Sequence, residues 1–267
     1  MIRIAAVQTS PRFGEVARNL EEVRALVRSQ AADLYVLPEL FATGYLFEDR
    51  DEVARIAEEY PGGPVSSFLA GLSREMGAVI AGGFAERTRD GKLYNSGALF
   101  DHGRPLTCYR KIHLFDREWS WFDPGDLPPR AYACPAGRVG PMICFDWIFP
   151  ETARALALEG AQILAHMANL VLPFCQEAMV TRCLENRVFA VTANRVGQDE
   201  RGGAGLAFTG RSQILGPDGA RLAQASPDRA EIIVAKVDPA RADEKRINAA
   251  NDLFRDRRPG LYGALSR

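Results

Sequence analysis

A chain of 267 residues is long for one ordinary domain but within the range of single-domain α/β enzymes, and no linker or internal repeat divides it, so residues 1–267 read as one domain. With 47% hydrophobic and 25% charged residues the composition excludes disordered, collagen-like and membrane-spanning chains, and a net charge of -1 offers no footprint for nucleic acid or an anionic membrane. The start runs straight into an apolar stretch without a basic region or cleavage site, and the five cysteines form no C-x-x-C pair, so a cytoplasmic protein without disulfides or a thiolate zinc site is expected.

Ile2 to Val7 reads as a strand, and Val16, Leu20, Val23 and Val27 then recur at helical spacing between Arg and Glu residues. Leu34 to Leu37 is a buried-strand run ending at Pro38. A second helix carries Phe68, Leu69, Leu72 and Met76 on one face and stops at Gly77. Strands are predicted at 78–85, 94–100 and 106–110, and another around Met142 and Ile143. Pro150-Glu151 opens a helix over 152–158. Strands at 161–167 and 189–194 flank a helix over 176–187. Gly202 to Gly205 lacks the context of a phosphate loop and reads as a flexible loop. The Gly216-Pro217-Asp218-Gly219 turn joins two strands as a hairpin, and 232–237 is the last strand. This alternation is the pattern of an α/β fold. The Arg-rich segment 244–267, punctuated by Phe254, Pro259, Leu261 and Tyr262, is expected to be a tail packed on a partner subunit.

Three polar residues stand where a predicted strand ends: Glu39 in Pro38-Glu39-Leu40, Lys111 in Arg110-Lys111-Ile112, and Cys144 in Ile143-Cys144-Phe145-Asp146. Strand ends are where α/β folds build their sites. Taken singly, a cysteine ending an apolar strand is usually a small core residue, and a Glu after Pro or a Lys after Arg is usually solvated. His102, His113 and His166 show no metal-ligand spacing, and the Arg255 to Arg258 cluster is too short and too flanked by acid for nucleic acid. No metal and no cofactor are expected.

Together the three residues carry a resemblance to the nitrilase superfamily of carbon–nitrogen hydrolases. The resembling blocks are Ala5-Ala6-Val7-Gln8, Pro38-Glu39-Leu40 with Thr43-Gly44-Tyr45, and Tyr109 to Phe115. Phe122-Asp123-Pro124-Gly125, Ile143 to Asp146 with Phe149-Pro150-Glu151, and Glu185-Asn186-Arg187 with Asn194 to Gly197 follow in family order. The resemblance implies a four-layer αββα sandwich, with Cys144 as nucleophile, Glu39 as general base and acid, and Lys111 as oxyanion donor beside the backbone N–H of Phe145. It further implies that Glu118 holds Lys111 or positions substrate and water, that Tyr45 and Asn169 line the pocket, and that the chain is a homodimer or larger homo-oligomer. The chemistry is consistent with those roles, because a thiolate is the one strong nucleophile among these side chains at neutral pH.

The expected reaction is hydrolysis of a small neutral amide to ammonia and a carboxylic acid, with nitrile hydrolysis as the alternative. A non-catalytic self-associating scaffold and a thioester-transferring acyltransferase are further alternatives. An intact triad speaks against the first, and the absence of the membrane helices of lipid-modifying relatives against the second. One departure bears on substrate: many amidase and carbamoylase relatives carry an arginine three residues past the cysteine, and here Trp147 stands there. An indole cannot neutralise a carboxylate. With Trp119, Trp121 and Phe122 expected to add aromatic surface, the pocket is predicted to favour uncharged substrates. Cys-Phe-Asp resembles the amidase side, whereas many nitrilases carry Cys-Trp-Glu.

Overall fold

The computed structural model describes residues 1–266. Along the first half of the chain run β1 (Ile2–Gln8), α1 (Val16–Ser29), β2 (Leu34–Val36), α2 (Arg50–Ile56), α3 (Pro64–Met76), β3 (Val79–Arg87), β4 (Leu93–Asp101) and β5 (Arg104–Arg110). The second half supplies α4 (Glu118–Trp121), β6 (Tyr132–Cys134), β7 (Gly137–Ile143), a 3-10 turn at Cys144–Ile148, and α5 (Pro150–Leu158). Then come β8 (Ile163–Met167), α6 (Cys175–Asn186), β9 (Phe189–Ala193), β10 (Gln198–Arg201), β11 (Ala204–Ala207), β12 (Gln213–Leu215), β13 (Arg221–Gln224) and β14 (Glu231–Val237).

Two six-stranded sheets result, ordered β14-β1-β2-β3-β4-β5 and β13-β12-β9-β8-β7-β6. The last strand closes the first sheet by pairing antiparallel with the first, Ile2 opposite Val237. The inner strands β2, β3, β4, β8, β9 and β12 bury both faces, so their apolar runs are nearly continuous, as they must be in a layered sheet. Ile4, Ala6, Leu34 and Val36 turn toward the second sheet, while Ala5, Val7, Tyr35 and Leu37 pack with Val23 and Val27 of α1 and Leu69 and Leu72 of α3. Helices α5 and α6 cover the outer face of the second sheet. The four layers are therefore helix, sheet, sheet, helix, as expected. Local chemistry sets the helix ends: buried Glu58 accepts hydrogen bonds from the N–H groups of Val65 and Ser66, each at 2.7 Å, at the start of α3, and Gly77 ends it at φ 59°.

Glycine is needed where chain segments press on the strand ends. A Cβ on Gly83 of β3 would lie 2.6 Å from Glu39 Cα, and one on Gly125 would lie 2.2 Å from the carbonyl oxygen of Arg110. The Phe122 to Gly125 block thus lies directly over the exit of β5.

One expectation needs correction. Gly202 and Gly203, at φ 55° and 75°, are the turn of the hairpin β10–β11, not a flexible loop; positive φ at both turn residues suits the strand twist. The tail is partly held by its own chain. Lys245 Nζ donates to the carbonyls of Asn186 and Arg187 at 2.9 and 3.0 Å, and Phe254 sits under Arg154. Leu261 and Leu265 remain 71% and 69% exposed, and Arg267 lies outside the described residues. Among the described residues no helix is long and apolar enough to cross a membrane.

Candidate active site

The sheets bring the three strand-end residues together. Strands β2, β3 and β5 share one direction in the first sheet, and β7, β8 and β9 are parallel in the second. Glu39, Lys111, Cys144 and Asn169 all follow C-terminal strand ends, so short extensions suffice to meet.

Lys111 Nζ donates to Glu39 Oε1 and to Glu118 Oε1, both at 2.7 Å, with every side chain of this trio fully buried. Glu39 Oε1 also accepts from Asn95 Nδ2 at 2.6 Å. Glu118 Oε1 takes the Tyr45 hydroxyl at 2.6 Å, and its Oε2 takes the Phe115 N–H at 3.2 Å. Asn169 ties the sheets together: its Nδ2 donates to the Glu39 carbonyl at 2.9 Å, and its own carbonyl accepts from Cys144 Sγ at 3.7 Å.

Cys144 sits at φ 39°, a left-handed backbone that costs a non-glycine residue about 1–3 kcal/mol unless the surroundings enforce it. Two buried groups do so. Asp146 Oδ2 accepts from the Ile143 N–H at 2.9 Å and from the Tyr109 hydroxyl at 2.7 Å. His166 Nε2 lies 3.0 Å from the Cys144 carbonyl, which can only accept, so Nε2 carries the proton and Nδ1 accepts from Thr192 at 3.1 Å. Burial lowers the His166 pKa to about 4, which keeps the ring in this neutral form.

Burial pushes the Glu39 carboxyl up to about 7; Lys111 opposes this and Glu118 reinforces it. The Cys144 thiol is raised well above its ordinary value by burial and by the Glu39 charge, against the pull of Lys111. Desolvation works against the Lys111 ammonium, but Glu118 and Glu39 outweigh it and raise its pKa. With both carboxylates ionised, the trio and the neutral Cys144 thiol together carry one net negative charge. Moving the thiol proton to Glu39 conserves that charge, whereas losing the proton to solvent would add a second negative charge to a dry site.

The cleft beside Cys144 is lined by Phe115, Phe145, Trp147, Asn169, Leu170, Val171 and Leu172, with a free volume of about 10 Å³, room for roughly one water. No charged side chain lines it. A roomier apolar cleft of about 350 Å³, lined by Thr9, Val23 and Leu26, lies under α1 and contains none of these groups. Of the expected pocket residues, Phe145, Trp147 and Asn169 therefore border the thiol, while Tyr45 spends its hydroxyl on Glu118. The aromatic wall is corrected: Trp119 is 65% exposed, and Trp121 and Phe122 pack with Phe47 outside the cleft. Among the described residues no group of His, Cys, Asp or Glu could hold a metal ion.

The carbon-nitrogen hydrolase family model matches residues 3–247. The chain belongs to the carbon-nitrogen hydrolases. It is 45% identical over 265 residues to a nitrilase of Pyrococcus abyssi, a match covering 98% of this chain and 99% of that protein. A carbon-nitrogen hydrolase structure from Helicobacter pylori G27 superposes with a TM-score of 0.90 at 25% identity, covering 100% and 98% of the two chains. A glutamate-to-glutamine mutant of an amidase from Nesterenkonia sp. AN1, with a TM-score of 0.79 at 25% identity over 99% of this chain and 100% of that one, carries acrylamide added to its active-site cysteine.

Motif reasoning did not single out Asn95, Asp146 or His166 as functional in this hydrolase. Their signal was a polar residue inside an otherwise apolar or small-residue strand or turn. Any turnover step that needs Glu39 ionised is expected to gain rate as the pH rises through about 7. A pH profile of kcat/KM checks this; an acid limb near the ordinary glutamate value of about 4.3 would contradict the described burial.

Proposed function

We propose that this carbon-nitrogen hydrolase cleaves small, uncharged amides through a Cys144 thioester, releasing ammonia and a carboxylic acid. The observation that carries the reading is the buried Glu39–Lys111–Glu118 cluster acting electrostatically on the Cys144 thiol. The thiol proton passes to Glu39 as sulfur attacks the carbonyl carbon. Lys111 has three N–H bonds and directs two at carboxylates, which leaves the third for the developing oxyanion. The Phe145 N–H, in the first turn of the 3-10 segment where amides lack intrahelical partners, is a second donor. Glu39 returns its proton to the nitrogen as the C–N bond breaks and ammonia leaves. Water then adds to the thioester, giving a proton to Glu39, and the C–S bond breaks as the proton returns to sulfur.

The uncharged lining supports neutral substrates, since a carboxylate there would lose its hydration without gaining a counter-charge. A second reading, hydrolysis of small nitriles, is favoured by the likeness to the Pyrococcus abyssi nitrilase. The same cysteine chemistry serves both.

Ammonia release across a panel of small amides, nitriles and N-carbamoyl compounds tests the proposal. Cys144→Ala, Glu39→Gln and Lys111→Met are each expected to abolish turnover while the circular dichroism of the fold is retained. A Glu39→Gln protein keeping more than about a hundredth of the wild-type rate would contradict the base assignment, because removing a general base costs about 10²–10⁴-fold. Self-association belongs to the same proposal: Ile148, Leu158 and Leu184 near or on α5 and α6, with Leu261 and Leu265 of the tail, leave large apolar side chains exposed. Light scattering at micromolar concentration is expected to give at least a dimer, and a monomer would overturn this.

A further inference from the structure

Among the described residues, three buried oxygens of the network centred on Glu39 have no hydrogen-bond partner: Glu39 Oε2, Asn95 Oδ1 and Asn169 Oδ1. Their residues are 0%, 1% and 2% exposed, and Asn169 borders the cleft itself. The amide orientations are fixed by chemistry. Asn95 Nδ2 faces a carboxylate oxygen and Asn169 Nδ2 faces a backbone carbonyl, and both of those atoms only accept. Each Oδ1 must therefore point away, and none of the described residues supplies a donor to it. Leaving buried acceptors unpaired is costly, so the site is complementary to a molecule rich in N–H.

The donors left for substrate are the third Lys111 N–H and the Phe145 N–H. A primary amide matches this polarity, with one oxygen that accepts and one nitrogen bearing two donors. A nitrile offers one lone pair and no hydrogen. An ester sets an alkoxy oxygen, which also only accepts, against the three acceptors. Building on the thioester reading, we propose that Asn95 and Asn169, with Glu39, form an acceptor pocket that recognises the two N–H groups of a primary amide and so selects it over the nitrile or ester of the same acyl group. Asn95 and Asn169 are thus specificity-determining residues for the reaction, and the departing ammonia leaves from the same pocket.

The test compares propionamide, propionitrile and methyl propionate on the full-length protein, with kcat/KM and the mass of the Cys144 acyl adduct as readouts. The amide is expected to exceed the ester by about 100-fold or more although the ester is the more reactive electrophile, because a site built to pair N–H groups rejects analogues that lack them. Asn95→Leu and, separately, Asn169→Leu are expected to lower the amide kcat/KM by about 10–100-fold and to change the ester by much less. A purely structural role would lower both substrates alike and leave their ratio unchanged, which overturns the proposal. Should one variant fail to fold, the other and the wild-type panel still decide. Wild-type protein acylated faster by ester or nitrile than by amide would mean that the three oxygens are merely hydrated. Absence of any Cys144 adduct would instead overturn the thioester reading beneath it.

Discussion

The Lys111 ammonium, enclosed between Glu39 and Glu118 without solvent, is the interaction on which the rest of the site depends. Burying three charged groups is favourable only when each is paired and hydrogen-bonded, and removing one partner of such a cluster typically costs about 3–5 kcal/mol. That requirement reaches far along the chain. Glu39 comes from the end of β2, Lys111 from the end of β5 and Glu118 from the short α4, while Tyr45 and the Phe115 N–H saturate Glu118. Gly83 and Gly125 remain side-chain-free so that these strand exits can close on one another.

The second sheet answers with the proposed nucleophile. Cys144 is held in a left-handed backbone by Asp146 below it and His166 behind it, and Asn169 links its thiol to the backbone of Glu39. Because burial raises both the thiol and Glu39, neither ionises freely alone; in the proposed mechanism the thiol proton passes to Glu39 beside the Lys111 cation. Under the proposed mechanism the resting site holds a neutral sulfur and a ready acceptor, so the thiolate would form as substrate arrives and not be exposed beforehand to oxidants or stray electrophiles.

Much of this was legible in the sequence, for physical reasons. Strands buried on both faces are continuous apolar runs, and the helices flanking them show a clean amphipathic period, so the layers could be read to within a few residues. The meeting of Glu39, Lys111 and Cys144 was legible because these residues stand at strand ends inside ordered motif blocks. What escaped had weaker signals. Helix α2 buries only Val53, and the β10–β11 strands are short, with their glycine turn masking the pairing. Asn95 and His166 were polar residues within largely apolar strands, and their partners lie far away in sequence, Glu39 being 56 positions from Asn95 and Cys144 22 from His166. Trp119 and Trp121 looked like one aromatic wall, but residues two apart on a helical turn face different ways. One is in solvent and the other in the core.

The central claim is that Cys144 rests as a thiol whose proton is exchanged with Glu39 within the site. The ultraviolet absorbance of thiolate, titrated in the wild-type protein against Cys144→Ser, measures this directly. The account predicts no thiolate difference between the two proteins at about pH 8, close to the ordinary cysteine pKa of about 8.5, because burial and Glu39 hold the thiol proton in place. A full thiolate signal already present at about pH 7 would contradict it; it would show a sulfur activated by Lys111 alone, with Glu39 no longer needed as the proton's destination.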